Sequence, residues 1–164
     1  MIWRSRTWQF DGSLKGRRDS RRHGRFGQST GRAPEEVMAD IHWALAGTRG
    51  AAVAVARIDP ERGQVQFCGV GNISGAIVTS ASKSNLLSLP GTAGHQIRTL
   101  RTTPHPLPPG SALILHSDGL TERWGHGDLP DTCRHCPTVI AGHLLRTAGK
   151  YHDDACVIAA AGLC

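Results

Sequence analysis

The chain has 164 residues, 39% hydrophobic and 20% charged, with a net charge of +6. That length holds one core and not two ordinary domains, and no apolar run approaches the roughly 18 residues of a membrane span, so a soluble chain without a membrane partner is expected. Residues 1–32 hold nine Lys or Arg against two Asp, a balance of +7, while ten bases and eleven acids leave residues 33–164 at −1; the basic character belongs to a tail and not to the folded part.

The tail, MIWRSRTWQFDGSLKGRRDSRRHGRFGQSTGR, has no apolar stretch of a signal peptide's length. It shows neither the 3.6 nor the 2.0 residue period, and disorder or loose structure is expected over 1–32. Its arginines offer phosphate contacts, and Trp3, Trp8, Phe10 and Phe26 offer stacking surfaces, so nucleic-acid binding through the tail is one reading. An ordinary solvated basic segment is the plainer one. The five cysteines, Cys68, Cys133, Cys136, Cys156 and Cys164, are odd in number and scattered, which suits reduced thiols and a cytoplasmic location.

Organisation begins at Ala33. APEEVMADIHWALAGT places Val37, Ile41, Ala44 and Leu45 on one helical face, with Pro34, Glu35 and Glu36 in the first turn and Gly47 as a stop. GAAVAVARID reads as a strand ended by the turn DPERG, and QVQFCGVGNISGAIVT resumes with glycines that mark bends. After SASKSN come two shorter candidates, LLSL and HQIRTLR, separated by PGTAG; PHPLPPG is expected to block regular structure. SALILHS is a nearly all-apolar strand of the kind buried on both faces. A turn around LTERWG leads to a polar loop over 125–136. PTVIAGHLLRTAG has Val139, Ile140, His143, Leu144 and Ala148 at helical spacing, and DDACVIAAA closes the chain as a strand. This order predicts an α+β sandwich with helices packed outside sheets.

Two acidic clusters stand beside strands. Asp118 and Gly119 follow ALILHS, while Asp153 and Asp154 precede ACVIAAA. If the two strands are antiparallel neighbours, the end of one lies beside the start of the other and the carboxylates converge. Hard oxygen donors of that kind suit Mg²⁺ or Mn²⁺. The plainer reading is a turn dipeptide and a solvated loop.

Several blocks in order, RGAAVAVARID, GVGNISGAIV, GTAGHQIR, PLPPGSALILHSDGLTERW, PTVIAGHLLR and DDACVIAA, resemble the metal-dependent protein phosphatases of the PPM family, in the branch of stage II sporulation protein E and the stress-module phosphatases of bacterial sigma factors. The resemblance implies a PPM-like αββα sandwich with two antiparallel sheets flanked by helices. It implies two divalent metals, Mn²⁺ or Mg²⁺, that activate a water for in-line attack on a phosphoserine or phosphothreonine. Asp118 matches one metal ligand and Asp153 another, with Asp154 as a supporting position and Gly119 as the small residue of the turn. No side chain is implied as catalytic beyond that water. The implied partner is a phosphorylated regulator, such as an anti-sigma antagonist in a partner-switching module.

In one place the chain departs from the pattern. The family carries an early strand with an aspartate and then an Asp-Gly-Leu-Gly-His-Gly type motif, whose aspartate bridges both metals. Here the early candidate is FDGSLKG, with Asp11 and Gly12, and neither an aliphatic strand before Asp11 nor a small-residue helix after it can be read. Two divalent ions bring four charges against at most three from Asp118, Asp153 and Asp154, so without Asp11 one ion or none is easier to accommodate than a pair. The domain is therefore expected as an N-terminally incomplete PPM-type unit over 33–164. Residues 1–32 are expected as a disordered or frame-shifted tail, which translation of the upstream DNA in the other two frames would test.

CRHC at 133–136, with His135 inside and His143 beyond, has half the ligands of a zinc site and lacks a second cysteine pair. His116 is expected to pack or hydrogen-bond the metal-bearing turn, His95 carries no catalytic assignment, and Trp124 is expected as a packing anchor. Three functions follow in order: a metal-dependent phosphoprotein phosphatase, an inactive remnant or phosphoprotein-binding module, and nucleic-acid binding through the tail.

Overall fold

The structure is a computed structural model that describes residues 7–11, 31–129 and 136–161. Ten strands and two helices follow one another as β1 (Thr7–Asp11), α1 (Pro34–Ala44), β2 (Val53–Asp59), β3 (Gln64–Val70), β4 (Ser74–Val78), β5 (Lys83–Leu86), β6 (Gly91–Thr92), β7 (Gln96–Ile97), β8 (Thr103–Pro106), β9 (Ala112–His116), α2 (Pro137–Ala148) and β10 (Val157–Ala161). Sheet one has the order β1-β2-β3-β8 and sheet two the order β10-β9-β4-β5, with every pairing antiparallel. A separate two-stranded ribbon joins β6 to β7.

The period of two in each strand sorts side chains between three apolar layers. In β2 and β3, Ala54, Ala56, Val65 and Phe67 point between the sheets, while Val53, Val55, Cys68 and Val70 meet α1. In β9, Leu113 and Leu115 join the layer between the sheets, and Ala112 and Ile114 meet α2 through Ile140 and Leu144. The result is the expected αββα sandwich. All five residues of β9 are buried because the strand lies inside sheet two and is covered on both faces.

Several local expectations change. The buried face of α1 is Pro34, Val37, Met38 and Ile41; Ala44 is exposed because the helix ends there. In α2 the buried stripe is Ile140, Leu144 and Ala148, at a spacing of four, while Val139 is 49% exposed. β5 begins inside SASKSN and ends where LLSL starts, and HQIRTLR contributes only Gln96–Ile97. Pro104 and Pro106 lie within β8, which is tolerated because β8 is an edge strand, bonded among the described residues to β3 alone.

The largest correction concerns the tail expected to be disordered or loosely structured. Thr7–Asp11 forms β1 on the edge of sheet one, with Thr7 opposite Arg57 and Asp11 opposite Val53. In sequence, Trp8 and Phe10 alternate with Thr7, Gln9 and Asp11, a period of two only five residues long that the surrounding arginines obscure. The Arg-rich remainder, 1–6 and 12–30, lies outside the described residues. Arg32, at the end of the tail, is committed to Asp40 at 2.5 Å and Glu36 at 3.6 Å.

Candidate active site

The acidic residues gather where strand ends meet. Val157 of β10 lies opposite His116 of β9, so the residues before β10 run alongside those after β9. Beyond the strands the two segments stay joined. The Ser117 N–H donates to the Cys156 carbonyl at 3.1 Å, and the Cys156 N–H donates to the Ser117 hydroxyl at 3.1 Å. The antiparallel condition set by the sequence is met.

Gly119 is the closest point of approach. A Cβ on it would lie 2.3 Å from the Asp154 carbonyl oxygen and 2.8 Å from Ala155 Cα, so only glycine lets the Asp118 turn press against the Asp154 backbone. Lys150 closes the other side. Its N–H donates to the Gly119 carbonyl at 2.8 Å, its ammonium donates to the Asp118 carbonyl at 2.5 Å, and its own carbonyl accepts from the Asp153 N–H at 3.4 Å. Thr121, two residues on, donates its N–H to Ala148 at the end of α2. One residue thus ties the Asp118 turn to the Asp153 turn.

Asp118, Asp153 and Asp154 are all exposed. The Asp153 carboxylate accepts from the Asp154 N–H at 2.9 Å through one oxygen, Oδ1. The Asp118 carboxylate accepts from the Asn72 side-chain amide at 2.5 Å. Asn72 lies in the β3–β4 connection, where the chain crosses from sheet one to sheet two. Sequence reasoning passed over both Asn72 and Lys150. Asn72 stood in the quoted GVGNISGAIV block, whereas Lys150, next to a helix end, carried no mark of its own.

Asp11 reaches the same end of the sandwich by register. It stands opposite Val53, Val53 stands opposite Val70, and Asn72 follows Val70 by two residues. The chain of neighbours therefore runs Asp11, Val53, Val70, Asn72, Asp118. Among the described residues no three His, Cys, Asp or Glu side chains come together closely enough to hold a metal ion. The donors fit a hard divalent cation in kind, being exposed carboxylates on backbone segments in direct contact. In number they fall short among the described residues.

Behind the turn lies a buried support. His116 is 1% exposed; its Nδ1 donates to the Ser117 carbonyl at 2.9 Å and its Nε2 lies 3.7 Å from Glu122. The ring meets Trp124 edge to face at 5.9 Å. Lys83 lies over the other ring with its ammonium 3.5 Å from the centroid, and donates to the Trp124 carbonyl at 3.0 Å. Burial lowers the Lys83 pKa from its ordinary value, against the opposing pull of Glu122. His116 and Trp124 therefore act as the packing groups the sequence suggested.

Among the described residues the thiols form no metal-holding group. Cys68 is buried under α1, where desolvation pushes its pKa up to about 11. Cys136 begins α2, and hydrogen bonding from Thr138 lowers its pKa. Of the zinc reading, Cys133 and His135 lie outside the described residues, and the His143 ring already sits 2.7 Å from the Asp128 carbonyl.

Residues 25–161 match the family model described as stage II sporulation protein E (SpoIIE). The chain belongs to the SpoIIE family. The match begins at residue 25, inside the stretch set apart by composition. A solved chain described under the bacterial stressosome, a modular system adapted to control secondary messenger signalling, superposes with a TM-score of 0.64 at 29% identity, over 80% of this chain and 69% of that one. RsbX in complex with magnesium gives 0.65 at 21% identity, over 78% and 64% of the two chains. The PP2C phosphatase domain of SpoIIE from Bacillus subtilis, with a fragment of its regulatory domain, gives 0.58 at 21%, over 79% and 45%. The likeness to the last two is one of fold, and this SpoIIE-family chain spans less than two thirds of either. No curated protein matches the chain. No helix among the described residues is long and apolar enough to cross a membrane.

Proposed function

We propose that the chain is a metal-dependent phosphoprotein phosphatase that acts on a phosphoserine or phosphothreonine regulator of a bacterial partner-switching module. The observation that carries this reading is the joining of the Asp118 turn to the Asp153–Asp154 turn, bonded through Ser117, Cys156 and Lys150 and closed by Gly119. Family membership and the PP2C-type fold support it. The magnesium in RsbX belongs to that protein, and Mg²⁺ or Mn²⁺ is proposed here by analogy and by donor chemistry.

Asp118, Asp153 and Asp11 would hold the cation, with Asp154 in support. Such an ion, when bound, supplies Lewis-acid activation of a water for in-line displacement at phosphorus. The protein's own residues do the rest. Gly119 lets the two turns touch, Lys150 fixes their separation through main-chain contacts, and the His116–Trp124 packing holds the strand end still. Lys150 adds one positive charge beside three carboxylates, which leaves the site negative before a cation arrives. Residues 33–164, with β1 added to their sheet, form the proposed phosphatase unit, and the cytoplasm is its proposed location.

A second reading, a phosphoprotein-binding domain without turnover, is favoured by the lack of a three-ligand group among the described residues. Hydrolysis of a phosphoserine protein with and without Mn²⁺ separates the two. The phosphatase reading expects Mn²⁺-dependent release of phosphate that falls by at least about 100-fold in Asp118→Asn. Absence of turnover at every Mn²⁺ concentration would sink it.

A further inference from the structure

The structure assigns Asn72 a role of its own: it is a positioning residue that fixes the Asp118 carboxylate before any cation arrives. Its backbone is held on both sides. Gly71 has φ +90°, a Cβ there would lie 2.7 Å from Ala52 Cβ, and its N–H donates to the Leu89 carbonyl at 2.9 Å. Ile73 is 3% exposed in the layer between the sheets, and its carbonyl accepts from the Ser88 hydroxyl. A residue pinned between two such neighbours loses little further freedom when its side chain forms one bond.

The chemistry of the donor is as telling as its place. Asn72 offers a neutral N–H to one oxygen, Oδ2, and leaves Oδ1 for another partner. A lysine or arginine there would orient the carboxylate too, but would also cancel the charge a divalent ion needs. The amide orients without neutralising. Lys150, the nearby cation, bonds to the Asp118 carbonyl instead, so the main chain is held by charge and the carboxylate by a neutral group. Asn72 also comes from the crossing between sheets, so the bond ties sheet one to the acidic end of sheet two.

The link between this clamp and cation binding rests on the reading of Asp118 as a ligand; the clamp itself does not. The test is therefore in two parts on the full chain. Amide hydrogen exchange of residues 117–121 in EDTA is compared for wild type, Asn72→Ala, Asn72→Asp, Asp118→Ala and the double variant Asn72→Ala with Asp118→Ala. The clamp expects faster exchange in both Asn72 variants and a double variant no faster than the faster single one, because both remove one shared bond. Asn72→Asp keeps the shape but cannot donate, so wild-type exchange in that variant would mean mere packing and would overturn the proposal. Additive effects in the double variant would overturn it as well. Calorimetric titration with Mn²⁺ then expects about tenfold weaker binding in Asn72→Ala; unchanged affinity overturns the role in cation binding. If wild type binds no Mn²⁺ while the exchange results hold, the clamp stands and the ligand reading of Asp118 falls.

Discussion

Two Asp-Gly pairs follow strands in this chain, and the settings differ. Asp118 follows β9 by two residues, and β9 is a strand bonded on both sides and buried on both faces. Its turn is gripped from three directions: by Asn72 from the crossing between sheets, by Lys150 after α2, and by Asp154 before β10. Asp11 ends β1, an edge strand with β2 as its single neighbour among the described residues. The same dipeptide thus follows a central strand in one place and an edge strand in the other. What separates them is how many backbone neighbours over-determine the carboxylate's position, since a ligand must be held within a fraction of an ångström to be useful.

If that difference is real, the largest response should come from Gly119. Gly119→Ala sets a Cβ against a main-chain oxygen and Cα that cannot step aside, and should cost roughly 3 kcal/mol in a urea melt. Gly127→Ala is the control, since a Cβ there meets nothing within 4 Å and should change stability by no more than about 0.5 kcal/mol. Equal responses at the two glycines would show that the two acidic turns are not pressed together.

Asp11 tests the other half of the comparison. Its register places it at the acidic end, on an edge strand and not a central one. Asp11→Asn is expected to weaken Mn²⁺ binding by about tenfold in calorimetry, with the melt in EDTA unchanged. An unaltered isotherm would leave the site to Asp118, Asp153 and Asp154 and would place Asp11 among ordinary turn residues.

Much of this was legible because β-strands write their burial plainly. The all-apolar ALIL run announced a strand covered on both faces, and β9 is that strand. The acids before β10 would meet those after β9 only if the two strands were antiparallel neighbours, a condition that the Val157–His116 register meets. β1 was missed because five alternating residues are few and the flanking arginines and glycines supply no second period. Pro104 and Pro106 misled because proline forbids only strands bonded on both sides, and the sequence does not say which strand is an edge. Asn72 and Lys150 could not be assigned because their partners are 46 and 32 residues away in the chain, a separation that local pattern does not encode.

The smallest expected effect concerns the support behind Asp118, which has no counterpart described behind Asp11. Lys83, with its side chain 12% exposed, holds the Trp124 ring and carbonyl and so steadies the segment from Asp118 to Trp124. Lys83→Met keeps the aliphatic stem and removes the cation, the carbonyl bond and the ring contact, with an expected loss of about 1 kcal/mol at neutral pH. The pH dependence gives a sharper mark. Burial lowers the Lys83 pKa below its ordinary 10.5, so between the folded value and 10.5 the unfolded chain holds more protons than the folded one. Stability contributed by this residue therefore rises with pH across that window, and is flat below it, where both states carry the proton. Melts at several alkaline pH values should show that rise in wild type and not in Lys83→Met. A rise of equal slope in both would mean that Lys83 is solvated and that the turn at Asp118 stands without it.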